Sequence, residues 1–157
     1  MYQDRSVEEE KLRTILETAA LAPSAGNLQS YEIYVARRAA DRKALAQAAL
    51  GQEFMAGAPI ALVFCANPGR AQPKYGQRGT ELYALQDATI ACTYAMIAAT
   101  ALGLASVWIG AFREDQVRRA VRLQQEVRPV AILAIGYAGE KPALTPRRKF
   151  NDLVHEL

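Results

Sequence analysis

The sequence predicts one domain of the α/β class. Its length of 157 residues is enough for one hydrophobic core. Helical and strand periodicities alternate along the chain, and no repeat or internal linker interrupts them. Hydrophobic residues make up 51% and charged residues 22%, a balance that excludes extended disorder.

The elements follow in order. Ser6 and Glu9 form a Ser-x-x-Glu capping box that opens a first helix. Its apolar face is Val7, Leu12, Ile15, Leu16, Ala19 and Ala20, and Pro23 ends it. Residues 23–29, PSAGNLQ, form a turn-rich loop. In SYEIYVA, Tyr31, Ile33 and Val35 alternate with Glu32 and Tyr34, the pattern of a strand with one wetter face. Asp41 is placed to cap a second, alanine-rich helix ending near Gly51. Pro59 leads into IALVFCA, expected as a central strand buried on both faces. Residues 67–79, NPGRAQPKYGQRG, are expected to be the longest loop, and they carry Arg70, Lys74 and Arg78.

Thr80 then caps a long helix from Glu81 to about Leu102. That helix is apolar nearly all round after Asp87, which puts it inside the protein or at a subunit contact. Gly103 fits its C-terminal cap. ASVWI is a strand and GAF a tight turn. Glu114 to Leu123 is an amphipathic helix with Val117, Ala120 and Val121 inward. VAILAIGYAG, from Val130, is the last strand. The tail from Glu140 is polar and holds Pro142, Pro146 and the run Arg147, Arg148, Lys149.

Taken alone, this order suggests a doubly wound parallel sheet. The first strand-to-helix turn, RRAAD, argues against it, because no glycine-rich phosphate loop appears there or anywhere else.

Composition narrows the function. The net charge of +3 is not gathered into the dense basic stripe of a nucleic-acid surface, and a small anionic ligand accounts for it equally well. Cys65 and Cys92 are distant and lie in apolar runs, so they are expected as buried free thiols of a cytoplasmic protein. With two cysteines, no Cys-x-x-Cys and one histidine, ligands for zinc or an iron–sulfur cluster are too few. The charged N-terminus has no signal core. Ala88 to Phe112 lacks charge and has the length of a bilayer span, but Gly103 breaks it. A buried helix followed by a buried strand explains it better.

The usual protein-borne catalysts are missing. His155, the single histidine, lies three residues from the C-terminus, a poor place for the base of a triad. Glu8, Glu9, Glu10, Glu114 and Asp115 sit at helix starts, where acids favour the dipole. Either the chain is a binding module or a cofactor carries the chemistry. Three segments are suited to a cofactor. PSAGN offers a hydroxyl, an amide side chain and backbone N–H groups. Trp108 to Phe112, WIGAF, ends a strand with a glycine that lets a ligand approach the main chain. Arg147, Arg148 and Lys149 offer charge for a phosphate. Each segment, seen singly, is also an ordinary loop, strand end or solvated tail. Arg70, Lys74 and Arg78 fit a flexible solvated loop better than a 2′-phosphate site.

Together and in this order these segments resemble the nitroreductase family. The pattern is APSAGNLQ (Ala22–Gln29), the alanine-rich helix running into GLASVWIGAF (Gly103–Phe112), AILAIGYAGEKP (Ala131–Pro142), and a basic tail ending in LVHEL. It covers nearly the whole chain.

The resemblance implies an α+β sandwich with a mixed, mostly antiparallel sheet flanked by helices. It implies a homodimer with FMN at the subunit interface. The activity would be transfer of electrons from NAD(P)H through the flavin to nitro compounds or quinones by a ping-pong mechanism, with no catalytic side chain and no metal. Pro23, Ser24 and Asn27, with Gln29 as a weaker candidate, would contact the flavin ring or ribityl chain. Ile109 and Gly110 would present backbone groups to it, and Arg147, Arg148 or Lys149 would reach its phosphate. The partners would be a second copy and a small-molecule acceptor, without nucleic acid or membrane. Residues 1–157 would form a single domain.

The family's Arg-Ser-x-Arg segment, expected just before Tyr2, is not in this sequence. The expectation is a start further upstream or a shortened variant that binds FMN weakly. The alternatives are a flavin-binding or flavin-handling protein without turnover, and another flavin reaction on the same scaffold.

Overall fold

The computed structural model describes residues 1–156, so Leu157, the last residue of the expected domain, lies outside the described residues. Four strands, β1 (Tyr31–Ala36), β2 (Ile60–Ala66), β3 (Ala105–Ile109) and β4 (Arg128–Gly136), form one sheet in the order β1-β2-β4-β3. All three pairings are antiparallel. The doubly wound parallel arrangement that element order alone suggested is therefore wrong, and the antiparallel sandwich holds.

The two inner strands account for the sequence's most continuous apolar runs. All seven residues of β2 are buried, as expected of a strand covered on both faces. Alternate residues serve opposite layers. Leu62, Phe64, Leu133 and Ile135 pack with α1 (Glu9–Ala20) and α4 (Ala84–Ala101). Ala61, Val63, Ile132 and Ala134 pack with α2 (Ala39–Ala48) and α5 (Glu114–Val121). The β2–β4 register shifts between Phe64 and Cys65, opposite Pro129. Proline has no N–H for the ladder, so a bulge there loses little.

Several expected helix signals do different work. The first helix starts at Glu9 and has no side-chain cap, so Ser6 and Glu9 do not form a capping box. Glu8 instead accepts from Tyr137 Oη at 2.7 Å and from Arg5 at 2.9 Å. Asp41 lies inside the first turn of α2, where it receives a two-pronged bond from Arg38. Gly103 behaves as expected. With φ of 74° it lets Gly103 and Leu104 donate back to Thr100 and Ala99, closing the α4 C-terminus.

The expected loop at 67–79 is helical. Pro68 begins α3 (Pro68–Arg78), where its missing N–H has no helical partner to lose. The helix breaks at Gly76, with φ 54° and ψ −140°, and a π-helical turn (Gly79–Tyr83) then runs straight into α4. Thr80 caps nothing, since its hydroxyl donates back to the Gln77 carbonyl. A Cβ at Gly79 would lie 2.7 Å from the Ala71 carbonyl oxygen, so the two helical pieces meet backbone to backbone there.

Candidate functional site

The PSAGN loop lies between α1 and β1 at the start of α4. Gly26 (φ 58°), Asn27 (φ 58°) and Gln29 (φ 44°) all take left-handed backbone conformations, which turn the chain sharply toward β1. What fixes this shape is Asp87. Its carboxylate is 1% exposed, and it accepts the N–H of Ala25 at 2.9 Å and of Ser30 at 3.1 Å, one at each end of the loop. Ser24 Oγ accepts the Gln29 N–H at 3.0 Å, which leaves its own proton free to donate.

This accounting changes what the loop can offer. Asn27 and Leu28 donate within the loop, and Ala25, Gln29 and Ser30 donate to Ser24 or Asp87. Half of the PSAGN backbone amides expected to face a ligand, those of Ala25 and Asn27, are consumed internally. The groups that remain are the Ser24 and Gly26 N–H groups, the Ser24 hydroxyl, the Pro23 ring and the side chain of Asn27. Gln29 Nε2 donates to Asn27 Oδ1 at 2.7 Å, so those two act as one unit.

Beside the loop is an open cavity of about 560 Å³ lined by Pro23, Ser24, Ala25, Tyr83, Leu85, Gln86, Asp87, Thr89 and Ile90. Its volume and its mostly apolar wall with a few polar edges suit a flat organic ligand. The sequence reading missed Tyr83, Asp87 and the α4 residues. The available signal was Asp87 itself, the last charge before a run of uncharged residues that reaches Phe112.

The other expected segments stand elsewhere. Ile109 ends β3, with its side chain buried against the α2–α5 layer, and Gly110 follows it exposed. β1 and β3 are opposite edges of the sheet, three strand spacings or about 14 Å apart. The turn after β3 is tethered by Gln52, whose Nε2 reaches the Ala111 carbonyl at 3.4 Å and the Ala49 carbonyl at 2.9 Å. Gln52 is a further residue that the sequence reading passed over. Arg147, Arg148 and Lys149 lie in a tail where every described residue from Ala138 on is exposed. There Arg147 bonds Thr145, and Arg148 bonds the Asp152 carbonyl. One protomer therefore brings together Pro23, Ser24, Asn27 and Gln29, but not the strand end or the basic run.

Both cysteines are free thiols buried in the core. Burial pushes Cys65 up to about 12 and Cys92 well above the usual thiol range. Among the described residues no three His, Cys, Asp or Glu side chains gather into a metal-binding group.

The model of the nitroreductase family matches residues 1–52 and 47–137. The chain belongs to that family. A Thermus thermophilus protein described as an NADH dehydrogenase is 32% identical over 89% of this chain and 82% of its own length. A Bacillus subtilis FMN reductase [NAD(P)H] is 32% identical over 99% of this chain and 68% of its own. Among solved structures, that of the Vibrio harveyi NADPH:FMN oxidoreductase in complex with NAD⁺ superposes with a TM-score of 0.90 at 25% identity. It covers 99% of this chain and 71% of that one. No helix among the described residues is long and apolar enough to cross a membrane.

Proposed function

We propose that this nitroreductase-family chain is an FMN-dependent oxidoreductase that takes electrons from NAD(P)H and passes them to nitro compounds or quinones. The observation that carries the reading is the cavity at the PSAGN loop. Its wall is mostly apolar, and its polar lining is the free Ser24 hydroxyl, the Tyr83 and Thr89 hydroxyls, the Gln86 amide and an Asp87 carboxylate already committed to two backbone N–H groups. That donor set fits a flat, neutral heteroaromatic ring with polar edges, which is the chemistry of an isoalloxazine. Bound FMN would supply the reversible two-electron carrier that the chain's own side chains lack.

The protein's part is placement. Asp87 holds both ends of the loop, so the Ser24 hydroxyl and the Asn27 amide present one fixed face to the ring edge. Pro23, Tyr83, Leu85 and Ile90 give the ring an apolar bed and exclude water from it. The cavity stays open on one side, so donor and acceptor can use the same face in turn, as a ping-pong order requires.

A second copy completes the site in this reading. Ile109, Gly110 and the basic run, remote from Pro23 within one protomer, then reach the flavin from the partner. The outer face of α4 supports the homodimer. Leu85 and Ile97 are exposed there, Ile97 to 63%. Thr89, Thr93 and Thr100 donate their hydroxyls back to carbonyls four residues earlier, leaving methyl groups outward. With no charge from Ala88 to Phe112, this face suits another uncharged face. Residues 1–157 act as one domain within that dimer, and buried free thiols suit the cytoplasm.

The test is the visible spectrum of the purified protein with added FMN, followed by NAD(P)H oxidation with a nitroaromatic or quinone acceptor. Flavin bands that co-migrate with a dimer, and turnover that needs both substrates, are expected. Flavin bound without turnover would select the flavin-handling alternative. A colourless monomer in excess FMN would end the reading.

A further inference from the structure

We propose that Lys74 and Arg78 form a phosphate-binding subsite for the pyridine-nucleotide donor at the mouth of the PSAGN cavity, an inference that rests on the proposed oxidoreductase function. Folding α3 back on the turn after it puts two cations and two aromatic rings in one cluster. Lys74 Nζ lies 5.3 Å from the centre of the Tyr75 ring, and Arg78 Cζ lies 5.3 Å from the centre of the Tyr83 ring. Arg78 Nε donates to Tyr83 Oη at 2.9 Å, and the two rings meet edge to face at 5.0 Å. The cluster is joined to the site at two points. Tyr83 is part of the cavity wall. Lys74 Nζ reaches so close to the loop that a Cβ at Gly26 would lie 2.6 Å from it.

The charge is uncommitted. Lys74 and Arg78 have no carboxylate partner among the described residues, whereas eight other ion pairs occur. Glu81, the next acid along the chain, accepts from Gln77 instead. Arg70 does not belong to the subsite, because its guanidinium is occupied by the Leu28 carbonyl. Two exposed cationic heads already positioned beside tyrosine rings lose little freedom when they bind an anion. A flavin ring and its aromatic acceptors give such heads no use, and the proposed dimer assigns the FMN phosphate to the basic run, but the donor brings further phosphates. These are the diphosphate bridge of both nucleotides and the 2′-phosphate of NADP(H) alone.

The experiment measures binding to flavin-loaded protein by calorimetry at low ionic strength, with NADP⁺, NAD⁺ and adenosine 2′,5′-bisphosphate as probes. K74Q, R78Q and the double variant are compared with the parent and with K43Q, a charge-matched control on α2. Loss of one charge-assisted contact should weaken phosphate binding about tenfold or more. The double variant should lose more, while flavin occupancy stays at the parent's level. R78K, which keeps the charge, should recover part of the loss. Weakening confined to NADP⁺ and the bisphosphate assigns the 2′-phosphate, and equal weakening of NADP⁺ and NAD⁺ assigns the diphosphate. Unchanged affinity for all three probes, in variants whose circular dichroism and flavin content match the parent, overturns the subsite. So does a loss that falls on FMN retention alone. A parent protein that takes up no flavin refutes the oxidoreductase reading instead, and is distinguished by its spectrum.

Discussion

Replacing Asp87 by asparagine tests whether one buried carboxylate sets the shape of the PSAGN loop. Asp87 receives two backbone N–H bonds, from Ala25 and Ser30. A hydrogen bond to a charged acceptor contributes about 1.5–3 kcal/mol, and stranding a buried donor is as costly as losing the bond. Asparagine keeps one carbonyl oxygen and must turn its NH2 group toward the second amide. One bond is lost and the other becomes a neutral one, so the loss should be about 2–4 kcal/mol. In a chain of this size that lowers Tm by about 4–16 °C. Urea unfolding followed by circular dichroism gives the stability, and visible absorbance after gel filtration gives the retained FMN. Because the loop is the part released, flavin should be lost at denaturant concentrations where the fold persists. A variant within about 0.5 kcal/mol of the parent, the range of an ordinary surface substitution, with full flavin retention, would refute the reasoning.

Three further outcomes are expected. Gly79→Ala should destabilise by about 1–3 kcal/mol, because its Cβ would press on the Ala71 carbonyl and the backbone has to shift; a neutral result in thermal unfolding would show that the α3 fold-back is loose. The hydrogen bond from Tyr137 holds Glu8 down at about 2, below its ordinary 4.5. A lowered carboxylate pKa adds stability above the unfolded value and loses it as pH falls from about 4.5 to 2. Tyr137→Phe should therefore raise the Glu8 pKa in an NMR titration and flatten the acid limb of stability, and an unmoved titration would contradict the assignment. Neither Cys65 nor Cys92 should react with Ellman's reagent in the folded protein, since both are buried and their thiolates are disfavoured. Both should react in urea, and prompt labelling of the native state would disprove the burial.

Where the sequence reading failed, competing contacts decided. The Ser6–Glu9 capping box is a local rule, but Glu8 pairs with Arg5 and Tyr137, a residue 129 positions away. Two prolines and three glycines made residues 67–79 look like a loop. Yet Pro68 falls at a helix start and Gly76 supplies one sharp break, so the same residues form two helical pieces. PSAGN looked like a cradle of free amides, and two of its four amides are taken, Ala25 by Asp87 and Asn27 by the Ser24 carbonyl.

The sequence by itself determined the alternation of elements, the IALVFCA strand covered on both faces, the Gly103 helix stop and the family. These are encoded in spacings of two to four residues or in contiguous blocks, which need no knowledge of where the chain returns. Only the tertiary structure decided the strand order β1-β2-β4-β3 and that Asp87 grips a loop 57 to 62 residues before it. It also brought Lys74 beside Gly26 of the loop and Arg78 onto Tyr83 of the cavity wall, while Ile109 ended on the opposite edge of the sheet. Those facts depend on contacts between distant segments, whose energy comes from burial and hydrogen-bond satisfaction in the assembled core. No local pattern carries that information.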